Sequence, residues 1–177
     1  MTRTINRSTL RRLNAQLSPD EWAEFLADLV DTSVLKEALR IGQDTSAAET
    51  VHIWVDGLCS NNGQPGAKAE WSMCQALPAG GWSDQEGGPV PDHQPQTNNT
   101  AEYTAVIMAL QQARQLRGPV VIHTDSALVV GQLTQNWRIN VEHLRALWCE
   151  ASQLIDEIAN VTITKEPRDR IEAVLGH

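Results

Sequence analysis

The stretch that decides the fold is residues 51–75, VHIWVDGLCSNNGQPGAKAEWSMCQ. Its start, Val51 to Val55, consists mainly of β-branched and aromatic residues and is typical of a β-strand. Ala69 to Gln75 has the pattern of a partner strand, and the turn-forming residues Asn61 to Gly66 lie between the two. This order predicts a β-hairpin at the start of a sheet.

Downstream of the hairpin, strand and helix patterns follow one another. Residues 78–96 are rich in Gly, Pro, Asp and Gln, so a third strand there should be short. Ala, Leu, Met and Gln then predict a helix from about Asn99 to Arg114. The remaining predicted elements are a strand at Val120–Thr124, helices at Ala127–Gln135 and Glu142–Ala159, a strand at Val161–Lys165 and a short helix that Pro167 opens. The order βββαβααβα indicates an α/β fold with a mixed five-stranded sheet flanked by helices.

A separate helical segment precedes the sheet. Residues 18–30 have Ser18 as the N-cap and Glu21 to complete a capping box. A second short helix should carry Val34 to Leu39. The apolar stripe of the first helix consists of Trp22, Phe25, Leu26, Leu29 and Val30. The expected organisation is a small N-terminal helical extension over residues 1–45, a linker over residues 46–50 and the main domain over residues 51–177.

Charge and hydropathy limit the classes of protein to which the chain can belong. The formal charge of −8 is unusual for a nucleic-acid binder, because phosphate neutralisation supplies much of the affinity of such proteins. Four arginines nevertheless give the first seventeen residues a charge of +4. No apolar run is long enough to cross a bilayer, so we expect no association with a membrane.

The cysteines and the N-terminus bear on the cellular compartment. The chain has three cysteines, Cys59, Cys74 and Cys149, and no two of them are spaced as a C-x-x-C pair. An odd number of cysteines also leaves one without a disulfide partner. Both features argue against a zinc knuckle and a disulfide framework. Met1 to Leu17 has no apolar segment followed by small residues, so we expect no secretory signal. These features predict a cytoplasmic protein.

Three acidic residues occupy the positions at which strands end or helices begin. Asp56 is expected to end the first strand, Glu102 to lie in the first turn of the long helix and Asp125 to end the fourth strand. In a right-handed crossover these positions converge at one edge of the sheet. Carboxylates gathered there repel one another unless a hard divalent cation such as magnesium lies among them.

The residues around these acids form three motif blocks. They read DGLCSNNG over residues 56–63, TNNTAEY over residues 97–103 and HTDS over residues 123–126. In this order the blocks resemble those of the type 1 ribonuclease H family, and the likeness extends over about residues 51–177 but not over the N-terminal helices. The resemblance implies a ribonuclease H-like fold for this part of the chain.

The resemblance also implies an activity and a set of site residues. The implied reaction is endonucleolytic hydrolysis of the RNA strand of an RNA/DNA hybrid, which leaves a 5′-phosphate and a 3′-hydroxyl. Two magnesium ions, with manganese as a possible substitute, would be held by Asp56, which bridges both, and by Glu102 and Asp125, which hold one each. The positions that are implied to contact the hybrid are Cys59, Asn62, Thr97, Asn98 and Asn99.

The fourth carboxylate of the family departs from its usual pattern here. The family has an Asp within Asn-x-x-Ala-Asp, whereas residues 165–175 of this chain read KEPRDRIEAVL. We assign Glu172 as the catalytic and metal-binding acid, because IEAVL resembles the start of the family's final helix. Asp169 is the alternative, and its structural role would be that of a helix cap. Lys165 to Arg170 lacks the histidine of some relatives, and His177 is given no role.

Several of these residues also have a structural interpretation. Asn98 and Asn99 could cap the long helix, and Asn62 before Gly63 could be part of a turn without any role in binding. Trp137 could stack on substrate or pack in the core.

Two questions of function stay open at this level. The alternatives to a nuclease acting on hybrids are a binding module of the same fold that does not cleave and a DNA-directed or transposase-like enzyme. The N-terminal extension either adds hybrid affinity through its arginines or offers residues 18–41 to a protein partner or a second copy.

Overall fold

A computed structural model describes residues 17–27, 49–116, 118–158 and 160–176. Its helices are α1 (Pro19–Ala27), α2 (Asn98–Ala113), α3 (Ala127–Thr134), α4 (Glu142–Glu157) and α5 (Arg168–Leu175), and its strands are β1 (Val51–Ser60), β2 (Lys68–Gln75), β3 (Glu86–Pro89), β4 (Val120–Thr124) and β5 (Val161–Lys165). None of the helices in this part of the chain has the length and hydropathy of a membrane-spanning segment.

The five strands form one mixed sheet in the order β3-β2-β1-β4-β5. β1, β2 and β3 pair antiparallel, whereas β4 lies parallel to both β1 and β5. Parallel neighbours need a long crossover connection, which α3 and α4 provide between β4 and β5. The predicted fold class is confirmed, as is the short third strand.

The two faces of the sheet carry different layers. On one face Ile53, Val55 and Ile122 are fully buried within the main core, to which α2 and α4 contribute Leu110 and Leu147. Burying one such aliphatic side chain stabilises the fold by about 1.5–3 kcal/mol. Because side chains alternate along a strand, the neighbours of Ile53 and Val55 point to the opposite face.

Helix α5 covers that opposite face. Its Ile171 and Leu175 are buried against Cys74 of β2, and Trp54 of β1 packs on the same group. Asp56 has the same parity as Trp54 along β1 and therefore lies on the α5 side of the sheet. The smaller layer thus brings the C-terminal helix next to the predicted site.

The structure places two of the predicted acids, Asp56 and Glu102, differently within their strand and helix. β1 does not end at Asp56 but continues to Ser60, because residues 56–60 pair with residues 68–72 of β2. Glu102 lies just beyond the first turn of α2, since this helix begins at Asn98. Asp56 therefore lies within a strand, where it pairs with Ser72 of β2, and not at a free strand end.

The N-terminal helix has the predicted start. The Ser18 hydroxyl and backbone N–H both donate to Glu21 Oε2, at 2.7 and 2.8 Å, and the Glu21 N–H donates back to Ser18 Oγ. Trp22 is buried and stacks on Phe25 with ring centroids 5.2 Å apart. The predicted continuation to residue 30 and the second short helix lie outside the described residues.

Candidate active site

A glycine in β1 allows α2 to come into backbone contact with the sheet. A Cβ built on Gly57 would lie 2.2 Å from the backbone nitrogen of Glu102 and 2.3 Å from the carbonyl carbon of Ala101. Any larger residue would push the helix away, since both neighbours are backbone atoms. Gly57 therefore sets the distance between Asp56, which precedes it, and Glu102.

Three carboxylates meet at this contact. Asp56 is buried at 5% exposure, and the Gly57 N–H donates to its Oδ1 at 2.8 Å. The pKa of Glu102 is raised to about 6, chiefly by burial, and the charges of Asp125 and Asp56 contribute to this rise. Asp56 and Asp125 thus lie close enough to Glu102 at one sheet edge to raise its pKa.

Ser126 connects two of the elements that carry these acids. Its hydroxyl donates a 2.5 Å hydrogen bond to Glu102 Oε2 and also accepts from the Val129 N–H, which caps α3. This bond favours the charged form and opposes the rise in the pKa of Glu102. Ser126 therefore fixes the Glu102 carboxylate beside the end of β4, where Asp125 lies.

The donor set suits a hard divalent cation. Carboxylate oxygens are the ligands that magnesium and manganese prefer, and the mutual repulsion of Asp56, Glu102 and Asp125 is the condition that such a cation relieves. Within the described residues, however, no group of three or more His, Cys, Asp or Glu side chains stands in a metal-binding arrangement. The acids have the chemistry of a metal site and lie near one another, but their side chains are not arranged as a complete set of metal ligands.

Glu172, the acid assigned to the fourth position, joins the cluster through an arginine. Arg168 Nε donates to Glu172 Oε1 at 2.8 Å, one helical turn away, and Arg168 Nη1 lies 3.4 Å from Asp125 Oδ2. Asp169 is an exposed residue in the first turn of α5. Of the two candidates, Glu172 is the one that an ion pair connects to Asp125.

A chain of polar side chains anchors the start of α5 beside the acids. His123 Nδ1 lies 3.0 Å from Glu166 Oε1, and His123 Nε2 lies 2.9 Å from Nδ1 of His52. The His123 ring stacks on Trp54 at 4.0 Å, and burial lowers the pKa of His123. The Glu166 N–H also donates to the Thr124 carbonyl at 2.8 Å, so the β5–α5 connection is tied to the end of β4.

The asparagine motifs lie at the N-terminal end of α2. Thr97 caps the helix and accepts from the Thr100 N–H at 3.1 Å, so the capping role considered for Asn98 and Asn99 is wrong. Asn62 Oδ1 accepts from the Asn98 N–H at 3.2 Å, which joins the β1–β2 turn to this helix end. The turn and the helix start therefore form one polar surface.

A family model described as RNase H matches residues 48–177, which is most of the chain. The chain belongs to the RNase H family. The chain is 38% identical over 95 residues to a ribonuclease H of Anaplasma marginale and 34% identical over 119 residues to a ribonuclease HI of Halobacterium salinarum. These matches cover 51% and 67% of this chain but only 55% and 57% of the two relatives.

A solved structure supports the same family. RNase H1 from Halobacterium salinarum aligns with a TM-score of 0.60 at 31% identity, over 72% of this chain and 93% of that one. The mixed sheet and the helices around it are therefore those of an RNase H fold.

Two further candidate residues occupy different surroundings in this RNase H domain. The Cys59 side chain is buried in a small cluster with Ala69, Val90 and Ala101. Trp137 is 51% exposed, and its ring lies against Gly131, where an added Cβ would be 2.2 Å from Cδ2 of the indole. Trp137 is thus a surface side chain held in place by a glycine, and the core position considered for it is wrong.

Trp137 lines a polar pocket on the RNase H domain. The pocket has a volume of about 460 Å³, and its lining includes Gln132, Asn136, Arg138, Arg145 and Trp148. The Trp148 indole N–H donates to the Gln132 carbonyl at 3.1 Å, which fixes one wall. Two cationic side chains and an exposed aromatic ring therefore share this surface.

Sequence reasoning missed three residues of the acid cluster. Gly57 and Ser126 each follow a predicted acid directly, and a residue beside a strand-borne acid is a natural candidate for a close contact. Arg168 could have been found from its spacing of four residues before Glu172, which places both on one helix face. Its contact with Asp125 depends on the tertiary fold and has no local signal.

Proposed function

We propose that this chain is a divalent-metal-dependent ribonuclease H that hydrolyses the RNA strand of RNA/DNA hybrids. The observation that carries the proposal is the convergence of Asp56, Glu102 and Asp125 at one edge of an RNase H sheet. The cut is endonucleolytic and leaves a 5′-phosphate and a 3′-hydroxyl. Membership of a family that generally depends on divalent metal ions supports the metal requirement.

The residues that would hold the metal ions are Asp56, Glu102, Asp125 and Glu172. Two magnesium ions, or manganese in their place, supply Lewis acidity toward the attacking water and the departing 3′-oxygen when bound. The chain's part is to keep its carboxylates ionised and correctly spaced. Ser126 serves the first need by stabilising ionised Glu102, and Gly57 serves the second by admitting α2 to the sheet.

Recognition of the hybrid is assigned to two surfaces. Discrimination of RNA from DNA requires contacts to 2′-hydroxyl groups, which both donate and accept hydrogen bonds. The exposed side chains of Asn62 and Asn98 lie at the N-terminal end of α2, the helix that carries Glu102, and suit this role. The pocket beside Trp137 carries Arg138 and Arg145 and suits backbone phosphates, with the indole available for stacking.

A cleavage assay tests the proposal directly. The substrate is a hybrid duplex with a labelled RNA strand, incubated with the chain in magnesium or in EDTA, with duplex RNA and duplex DNA as controls. We expect cutting of the RNA strand of the hybrid only, dependent on magnesium and absent for Asp125→Asn. Cutting of the DNA duplex, or cleavage that persists in EDTA, would contradict the proposal.

One observation favours a second candidate, a module that binds hybrids without cutting them. Glu172 is paired with Arg168, and its side chain is 48% exposed. The same assay separates the candidates when it is combined with a measurement of binding. A hybrid that is bound in magnesium but never cut supports the module.

A further inference from the structure

We propose that Arg168 is a built-in counter-cation of the carboxylate cluster, which a divalent metal ion must displace from Asp125 and Glu172 when it binds. The inference rests on the proposed function, because it takes the cluster to be the metal site. It concerns the metal-free protein and assigns Arg168 a role that is separate from the chemical step.

The contacts of Arg168 carry the proposal. One guanidinium reaches two acids from different elements, since Nε lies 2.8 Å from Glu172 Oε1 in α5 and Nη1 lies 3.4 Å from Asp125 Oδ2 after β4. The planar guanidinium offers several N–H groups at once, so it can pair with two carboxylates where a single ammonium group would favour one. Arg168 thereby occupies oxygen atoms that a metal ion would need.

The charge of Arg168 reaches the other acids as well. The hydrogen bond to Glu172 raises the pKa of Arg168 most, and the charges of Asp125 and Asp56 raise it further. In return, Arg168 acts to lower the pKa of Glu102. A single positive charge therefore offsets part of the repulsion among four acidic side chains.

The position of Arg168 allows it to leave. Its side chain is 62% exposed and extends from the first turn of α5, so its charge can move into water without being buried. Ion pairs of such exposed groups are individually weak and are screened by salt. A doubly charged cation can therefore displace the guanidinium. Breaking the ion pairs of Arg168 costs free energy, which weakens the binding of the cation.

The same helix provides a matched control. Arg170 lies 3.6 Å from Glu166 and is 72% exposed. Glu166 belongs to the polar chain with His123 and not to the four acids. Arg170→Gln thus removes one positive charge from α5 without removing the contacts to Asp125 and Glu172.

The test is calorimetric titration of the metal-stripped full chain with MgCl₂, without nucleic acid. We expect Arg168→Gln to bind magnesium about tenfold more tightly than the unaltered chain, because a competing positive charge has gone. Arg170→Gln should change the affinity by less than about twofold. Arg168→Lys keeps the charge but not the two-pronged contact, so its affinity should fall between those of the unaltered chain and Arg168→Gln.

A second readout covers the metal-free state. In EDTA, Arg168→Gln should have a lower Tm than the unaltered chain, and added magnesium should raise its Tm by more. Equal magnesium affinity for Arg168→Gln and the unaltered chain, or a weaker one, would overturn the role of Arg168. Absence of magnesium binding in every variant would instead overturn the proposed metal site, so the two failures are distinguishable.

Discussion

The backbone of Gly57 in β1 lies in direct contact with the backbone of Glu102 in α2, and a single added carbon at Gly57 would come within 2.2 Å of the Glu102 nitrogen. The contact joins the strand that carries Asp56 to the helix that carries Glu102. A residue without a side chain thus controls the distance between two charged ones.

Gly57→Ala should disrupt both stability and activity. The clash is with backbone atoms, which cannot rotate away, so we expect a loss of about 1–3 kcal/mol in the free energy of unfolding. Cleavage activity should fall by more than the loss of folded protein explains, because a shift of α2 moves Glu102 away from Asp56. Urea unfolding and a hybrid cleavage assay measure the two effects. Gly88→Ala is the control, since its added carbon would meet only ordinary contacts at 3.6 Å or more.

Glu102 should make the metal-free protein less stable near neutral pH than in mild acid. Its pKa is about 6 in the folded chain and 4.5 in the reference state, so the folded form binds the proton more tightly. The stabilisation from protonated Glu102 is fully present below pH 4.5 and is lost as the pH rises through 6. A difference of 1.5 pH units corresponds to about 2 kcal/mol.

Urea unfolding in EDTA at pH 5 and pH 7.5 checks this prediction. Glu102→Gln cannot ionise, so its change in stability between the two pH values should differ from that of the unaltered chain by about 1–2 kcal/mol. Carboxylates remote from Glu102 titrate equally in both proteins and cancel in the comparison. Identical pH profiles for the two proteins would show that Glu102 has an ordinary pKa.

Ser126→Ala should raise the pKa of Glu102 further. The variant removes the hydroxyl that stabilises ionised Glu102 and also removes the cap of α3. The lost cap alone should cost about 1 kcal/mol. NMR titration of the Glu102 carboxyl in EDTA should show the upward shift, and Ser126→Thr, which keeps a hydroxyl, should largely restore the original value.

The sequence predicted the elements whose determinants are local. The Ser18–Glu21 capping box formed as expected, because its hydrogen bonds join residues three apart. The mixed five-stranded sheet followed from the alternation of strand and helix patterns. The convergence of Asp56, Glu102 and Asp125 could be predicted because parallel strands align their carboxyl ends at one edge.

The remaining features depend on distant partners and could not be predicted. The continuation of β1 from Asp56 to Ser60 is determined by pairing with β2, and the residues GLCS have no strong strand preference of their own. Arg168 has a long side chain whose partner depends on how α5 packs. Its ion pair with Asp125 joins residues 43 positions apart and leaves no pattern in the sequence.

The acids should differ in their importance for cleavage. Asp125→Asn should lower the rate at least about 100-fold, and Glu172→Gln about tenfold, because the Asp125 side chain is only 12% exposed whereas that of Glu172 is 48% exposed. Asp169→Asn should stay within about twofold, since Asp169 is exposed. Rates under magnesium saturation test the series. Full activity of Glu172→Gln would show that Glu172 is not the fourth catalytic carboxylate.

Trp137 should affect substrate binding more than the chemical step. Its exposed ring and the arginines of the same pocket lie on a surface formed by α3, α4 and the loop between them, whereas the acids lie at the end of β4 and on β1 and α2. Trp137→Ala should therefore raise KM about tenfold or more, because stacking of one base on an aromatic ring contributes about 1–3 kcal/mol, and should leave kcat within about twofold. Trp82→Ala is a suitable control, since Trp82 is a comparably exposed indole at 43% that packs against Trp54 instead. A fall in kcat with unchanged KM would show that Trp137 acts on the acid cluster and not on hybrid binding.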